Sequence, residues 1–330
     1  MAKIIYEKLT NKKWVNLKKR PFLTVMTPVY NRRSTIEKTI RSVEEQTFRD
    51  IEYIIIDDGS TEPIDDIVNK FMESTKLPVM FVKKPNGGVH TARNVGYEQA
   101  RGELVLCIDS DDELLPEAAE IFYRTWKLIP KDGRKEYWQM KAQCKNQEGK
   151  ITGTLFPDGI NEMPIDDARR YFSLSKGEQR GCRVTKIMKE IKFPEPDGVT
   201  FVEENVRWVP LEEEYRSWGI NDVVRTYHTE GDDHLSKSSK KKTKQDLRNM
   251  LWNTMYRLNR PKLFVLNFKQ RLVSICKYCV IARLLWWCGD GKFVKKYPIE
   301  GWLNNFWKNI FWIPAIFVAS IYYTKIVEQL

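Results

Sequence analysis

From residue 22 to residue 129 the chain alternates between short apolar runs and helix-length amphipathic stretches, and no other feature limits the fold as tightly. Phe22-Leu23-Thr24-Val25-Met26-Thr27, Ile51-Glu52-Tyr53-Ile54-Ile55-Ile56 and residues 78–82 and 103–108 read as strands. Residues 34–46, 64–74, 88–100 and 116–128 read as helices. Ser34 is expected to cap the first of these, with Glu37 completing a capping box, and Pro116 suits the first turn of the last. A β-α-β-α order implies a mainly parallel sheet covered by helices. Ligands of such sheets bind beyond the carboxyl ends of the strands. Three polar clusters fall there, at residues 27–31, 57–60 and 109–112.

The third cluster, Asp109-Ser110-Asp111-Asp112, follows the apolar run Leu104-Val105-Leu106-Cys107-Ile108. Three acids in four positions repel one another, and burying them is costly unless a cation compensates. Mg²⁺ and Mn²⁺ favour oxygen ligands, commonly one or two carboxylates plus substrate phosphates. A solvated acidic turn is the plainer alternative. An EF-hand loop fits poorly, because the sixth position counted from Asp109 is Leu114, where glycine is needed. Asp57-Asp58 follows a strand as a ribose-binding acid does in nucleotide folds; an Asx turn is the competing reading. Pro85-Asn86-Gly87-Gly88 enters a helix that carries Arg93 one turn in, where a guanidinium can pair with phosphate. Neither G-x-G-x-x-G nor a P-loop is present.

Taken together these segments resemble family 2 glycosyltransferases of the GT-A fold. The resemblance rests on Thr27-Pro28-Val29-Tyr30-Asn31, Gln46-Thr47-Phe48, Ile56-Asp57-Asp58-Gly59-Ser60-Thr61, Asn86-Gly87-Gly88 with Ala92-Arg93-Asn94-x-Gly96, and Asp109-Ser110-Asp111-Asp112 with Pro116. It implies an α/β nucleotide-diphospho-sugar transferase fold and a metal-dependent, inverting transfer from a nucleotide sugar, commonly UDP-linked. Thr27, Pro28 and Tyr30 would line the base, Asp58 would read it, and Arg93 would contact the nucleotide. Asp109 would approach the ribose or the metal, and Asp111 would ligate Mn²⁺ or Mg²⁺ directly, with Asp112 behind it. The base that deprotonates the acceptor hydroxyl would be Glu204, then Glu203, in Phe201-Val202-Glu203-Glu204-Asn205; the family more often has Glu-Asp there. His228 is a candidate third metal ligand, and His90 a weaker neighbour of the diphosphate. A nucleotidyltransferase of related fold would need a basic phosphate loop after the first strand, where only Arg32-Arg33 follows. A non-catalytic, membrane-associated scaffold is the other alternative, against which the full set of carboxylates argues.

The remaining chain is read as follows. Residues 1–20 form an N-terminal extension, 21–129 the nucleotide-sugar half, 130–235 the acceptor half and 236–330 a basic helical segment. In the acceptor half, residues 137–144 and 151–156 read as strands and 165–171, 184–191 and 202–215 as helices. Residues 236–330 hold 18 Lys+Arg against 4 Asp+Glu, a net +14; the whole chain is +11, which leaves −3 for residues 1–235. Trp252, Trp286, Trp287, Trp302, Trp307 and Trp312 lie in the same segment. Bases and aromatics together point to an anionic membrane surface; a helical subdomain whose tryptophans pack on the catalytic core is the plainer alternative, and no nucleic-acid recognition motif is present. The run from Phe311 to Tyr323 is too short to span a bilayer. No apolar leader opens the sequence, so the six cysteines are expected to be reduced. Cys276-x-x-Cys279 suits one helix face better than a zinc half-site. The expected place of action is the cytoplasmic face of the cell membrane, in cell-surface polysaccharide synthesis on a glycan or lipid-linked acceptor.

Overall fold

In the computed structural model, residues 6–156, 162–163, 178–228, 243–262 and 267–326 are described. The expected helix at residues 165–171 lies outside them. The chain forms two compact units, Met1–Lys192 with Leu211–Glu230 and Phe193–Pro210 with Gly231–Leu330.

The first unit is built on one mixed sheet. Its central strands β2 (Leu23–Val29), β3 (Ile51–Asp57), β4 (Val79–Lys83) and β5 (Leu104–Cys107) run parallel in the order β4-β3-β2-β5. β1 (Glu7–Thr10) adds antiparallel to β4, so the segment read as an extension completes a sheet edge. Beyond β5 come β9 (Gln179–Val184), β7 (Tyr137–Lys145), β10 (Arg216–Thr226) and β6 (Glu113–Leu114). β8 (Glu162–Met163) pairs with β10 off this path. The strand expected at residues 151–156 is only a bridge from Ile151 to Lys145.

The helices α2 (Ile36–Glu44), α3 (Asp65–Ser74), α4 (Val89–Gln99) and α5 (Ala118–Leu128) follow the predicted order, after a single turn α1 (Lys12–Val15). β2 and β3 are buried along their whole length, as strands covered on both faces must be. The capping box at Ser34 does not form. Thr35 occupies the cap position without a side-chain cap bond. Its hydroxyl instead donates to the carbonyl of Ser110 at 2.8 Å. α6 (Thr185–Glu190) follows β9, and α7 (Asn205–Glu214) crosses from one unit to the other between Pro210 and Leu211.

The second unit is helical: α8 (Lys244–Leu258), α9 (Phe268–Trp287), α10 (Gly291–Lys296), α11 (Trp302–Trp312) and α12 (Pro314–Ile326). Capping boxes at Thr243 with Asp246 and at Asn267 with Gln270 start α8 and α9. Cys276 and Cys279 are free thiols within α9. The segment before α7 is laced to α8. Asn249 Oδ1 accepts from the Thr200 amide at 2.9 Å and Asn253 Oδ1 from that of Glu203 at 2.9 Å. Among the described residues no helix is long and apolar enough to cross a membrane.

Candidate active site

Because β2, β3 and β5 are parallel, their carboxyl ends share one edge of the sheet. At the end of β2 the backbone turns through Asn31, a non-glycine residue with φ of 51°. This left-handed turn is held by side chains: the Asn31 amide donates to Ser60 Oγ at 3.0 Å, and Asn31 Oδ1 accepts from the Thr61 amide at 2.8 Å. It leaves Tyr30 exposed at the edge. Thr27 and Pro28 lie within β2 and are buried. The Thr27 hydroxyl is bonded to Tyr53 OH at 2.9 Å.

Asp58, at the end of β3, organises the glycine turn. Its carboxylate is buried and accepts from Lys84 Nζ, from the Gly87 amide at 3.1 Å and from the Gly88 amide at 2.8 Å. Lys84 Nζ also donates to Thr91 Oγ1 at 2.9 Å. These bonds give Asp58 a role in shaping the turn ahead of α4. Gly59, with φ of 76°, sits where a Cβ would lie 2.6 Å from the Asn86 amide nitrogen.

The acid loop after β5 is clamped from several sides. Arg93 of α4 donates to Asp109 Oδ1 at 3.2 Å. Arg180 of β9 donates to Asp109 Oδ2 at 2.7 Å and to the Cys107 carbonyl at 2.9 Å. Arg225 of β10 donates to Asp112 Oδ2 at 2.7 Å and to Glu178 at 3.1 Å. Arg32 stands 3.7 Å from Asp111. The cations that compensate these acids are thus arginines. Burial alone would raise Asp109, but Arg180 and Arg93 hold it well below the usual carboxylate range. Burial and the charge of Asp109 push Asp112 upward. The backbone of the loop is fastened to α2, where Thr39 Oγ1 donates to the Asp112 carbonyl at 2.8 Å.

A divalent cation suits the acids that the clamp leaves accessible. The Asp111 and Asp109 side chains keep 22% and 35% of their exposure, whereas Asp112 keeps 1%. Among the described residues, no three His, Cys, Asp or Glu side chains gather as a complete metal site. That is the expected condition where one or two carboxylates share a cation with phosphates. His228 does not join them: Nε2 faces Glu113 Oε1 at 2.7 Å and Nδ1 faces Gln147 Nε2 at 3.0 Å. Its amide donates to Asp112 Oδ1 at 3.2 Å, so the residue supports the loop instead. His90 is buried in the first turn of α4, where burial and the charges of Lys84 and Arg93 pull it down to about 4.

Glu203 and Glu204 belong to the second unit. Glu203 is held by Arg257 Nη1 at 3.0 Å, and the exposed Glu204 accepts from Trp208 Nε1 at 3.0 Å. Arg180, Arg225 and Lys84 were not anticipated. Arg180 and Arg225 lie within β9 and β10, and Lys84 just after β4.

The sequence profile described as glycosyl transferase family 2 matches residues 24–134. A putative teichuronic acid biosynthesis glycosyltransferase, TuaG, of Bacillus subtilis is 38% identical over 222 residues, covering 63% of this chain and 79% of that protein. The chain belongs to glycosyl transferase family 2. A second relative, the GalNAc(5)-diNAcBac-PP-undecaprenol beta-1,3-glucosyltransferase of Campylobacter jejuni, is 27% identical over 63% of this chain and 64% of its own length. The crystal structure of S. aureus TarS 1-349 in complex with UDP-GlcNAc superposes with a TM-score of 0.54 at 20% identity, covering 84% of this chain and 81% of that one. This likeness establishes the GT-A fold for the family 2 chain. Of three curated relatives it matches, the chain spans 40%, 64% and 14% of the length.

Proposed function

We propose that this chain transfers a sugar, with inversion, from a nucleotide-diphosphate donor to a hydroxyl of a glycan or lipid-linked acceptor in cell-surface polysaccharide synthesis. The observation that carries this reading is the acid loop at the carboxyl edge of the sheet, clamped by arginines so that Asp111 and Asp109 remain accessible beside the glycine turn and Arg93. A UDP-linked donor agrees with the nucleotides named in the TarS structures, and a lipid-linked acceptor with the substrate named for the Campylobacter relative.

In the proposed reaction the acceptor oxygen bonds to the anomeric carbon as the bond from that carbon to the diphosphate oxygen breaks. The acceptor proton goes to a carboxylate, and the nucleoside diphosphate departs with the bonding pair. Glu204 takes the base role ahead of Glu203, whose carboxylate is engaged by Arg257. Arg93 supports the nucleotide, and Asp111 with Asp109 would hold Mn²⁺ or Mg²⁺, whose charge would favour departure of the diphosphate. Tyr30, exposed at the end of β2, is the side chain placed to stack on the base. Work at the cytoplasmic membrane face is part of the proposal and rests on the basic helical segment.

The test is release of nucleoside diphosphate from a panel of nucleotide sugars with and without Mn²⁺. Asp111→Ala is expected to abolish the metal-dependent part, and Glu204→Gln to keep donor-induced thermal stabilisation while losing turnover. Metal-dependent turnover undiminished in Asp111→Ala would sink the metal assignment. Full turnover in Glu204→Gln would sink the base assignment.

A further inference from the structure

The tryptophans of residues 236–330 are not a uniform outward belt. Trp252 is buried, Trp287, Trp307 and Trp312 are half-buried, and Trp286 and Trp302 are exposed, at 43% and 81%. What faces out instead is a row along α11 and α12: Trp302, Phe306, Ile310, Ile313, Phe317 and Ile321, all exposed. Their spacings of four, four, three, four and four residues keep them within one face of a helix. The row is not broken at the junction, because Ile313 itself has helical dihedrals of −74° and −52°.

The opposite face is committed inside the second unit. Asn304 donates to the carbonyls of Leu258 at 3.1 Å and Glu300 at 2.7 Å and accepts from Arg271 at 3.0 Å. Ala315 and Ala319 are buried, and Arg283 of α9 lies 4.3 Å over the ring of Trp312. The orientation is therefore fixed by packing. Between Trp302 and Ile321 the sole ionisable side chain is Lys308, which is half-buried, so the exposed row contains no charge of its own. Phe268, 62% exposed at the start of α9, lies 5.9 Å from the half-buried Trp307 and extends the apolar area.

An uncharged apolar helix face of this size marks an interaction surface. The charge around it selects the occupant. The same unit exposes Lys262, Lys269, Lys292 and Lys295, and its segment carries net +14 against −3 for the rest of the chain. Apolar face and basic surroundings together suit a helix lying in the plane of an anionic lipid interface, acyl chains meeting the row and headgroups meeting the lysines. We propose that the Trp302–Ile321 face of α11 and α12 docks the protein on an anionic bilayer surface without spanning it. This inference deepens the membrane part of the proposed function and does not depend on the transfer chemistry.

The test is flotation of the full-length protein with vesicles of phosphatidylcholine alone and of phosphatidylcholine with phosphatidylglycerol. The native chain should float with the anionic vesicles. The Phe306→Glu, Ile313→Glu, Phe317→Glu variant should bind them at least about tenfold more weakly, with an unchanged melting temperature. Because these positions are exposed, the variant is expected to fold; a milder triple change to serine provides the same comparison with no added charge. The proposal is overturned by equal binding of native and variant chains, or by equal binding to neutral vesicles. It is also overturned by a marked fall in melting temperature in both variants, which would show the row packed within the chain. Native dimers that the variant abolishes, in the absence of vesicle binding, would assign the face to a second copy instead.

Discussion

At the scale of single residues, Arg180 governs the acid loop. It is buried, and its guanidinium reaches Asp109 at 2.7 Å, the Cys107 carbonyl at 2.9 Å and Asp112 at 3.6 Å. Removing one member of a buried charge cluster costs about 3–5 kcal/mol, because the partner charges stay desolvated. Arg180→Met is therefore expected to lower unfolding free energy by about that much in denaturant titrations. Adding Asp109→Asn, which removes the carboxylate that loses its 2.7 Å partner, should recover part of the loss. His90 provides a second test. With a folded value of about 4 against an ordinary 6.5, the folded ring resists protonation that the unfolded chain accepts. Its contribution is intact above pH 6.5 and is lost as pH falls from there toward 4. The loss approaches ~3 kcal/mol, since each unit corresponds to about 1.4 kcal/mol. His90→Asn should flatten the melting-temperature profile across that window; an unchanged slope would show that another group produces it.

At the scale of elements, α2 and α4 explain why widely separated motifs occur together. Gln46, just after α2, donates to the Leu115 carbonyl at 2.8 Å and accepts from the Ala119 amide at 2.9 Å. Thr47 donates its amide to the Pro116 carbonyl at 2.9 Å. These bonds anchor the start of α5, and with it the far end of the acid loop. Gln46→Ala should destabilise by about 1–3 kcal/mol through the buried partners left unpaired, seen as a lower denaturation midpoint. Gly96 marks the close approach of α4 to the sheet: a Cβ there would lie 2.6 Å from Met26 Sδ and 3.0 Å from Ile56 Cδ1. Gly96→Val is expected to cost about 1–3 kcal/mol by overpacking, and Met26→Ala in the same chain should relieve part of it. The parallel half of the fold was legible because buried strands and amphipathic helices leave local periodicities. The clamp was not, because Asp109 and Arg180 are 71 residues apart and Asp112 and Arg225 are 113 apart. No local pattern shows that an arginine in one strand neutralises a carboxylate after another. For the same reason the partners of Thr27 and Asp58, Tyr53 and Lys84, could not be read locally, since strand register and turn geometry set them.

At the scale of the whole molecule, opposite signs of charge are separated along the chain, −3 over residues 1–235 and +14 over residues 236–330. Such segregation does nothing for a core but biases approach to a charged surface. The two contributions to docking respond differently to salt. Attraction between exposed lysines and anionic headgroups acts through solvent and is screened within about 8 Å at physiological ionic strength. Burial of Phe306, Ile313 and Phe317 in acyl chains is not screened. Binding of the native chain to phosphatidylglycerol vesicles should thus weaken steeply between about 0.05 and 0.5 M NaCl and then level off. The combined Lys269→Gln, Lys292→Gln, Lys295→Gln variant should begin weaker and show a shallower salt slope, yet converge on the native chain at high salt. The variant carrying Glu at the three apolar positions should instead lose the plateau. Parallel curves for native and lysine-substituted chains would mean that these lysines do not face the headgroups. A plateau retained by the apolar variant would place the hydrophobic contact elsewhere on the molecule.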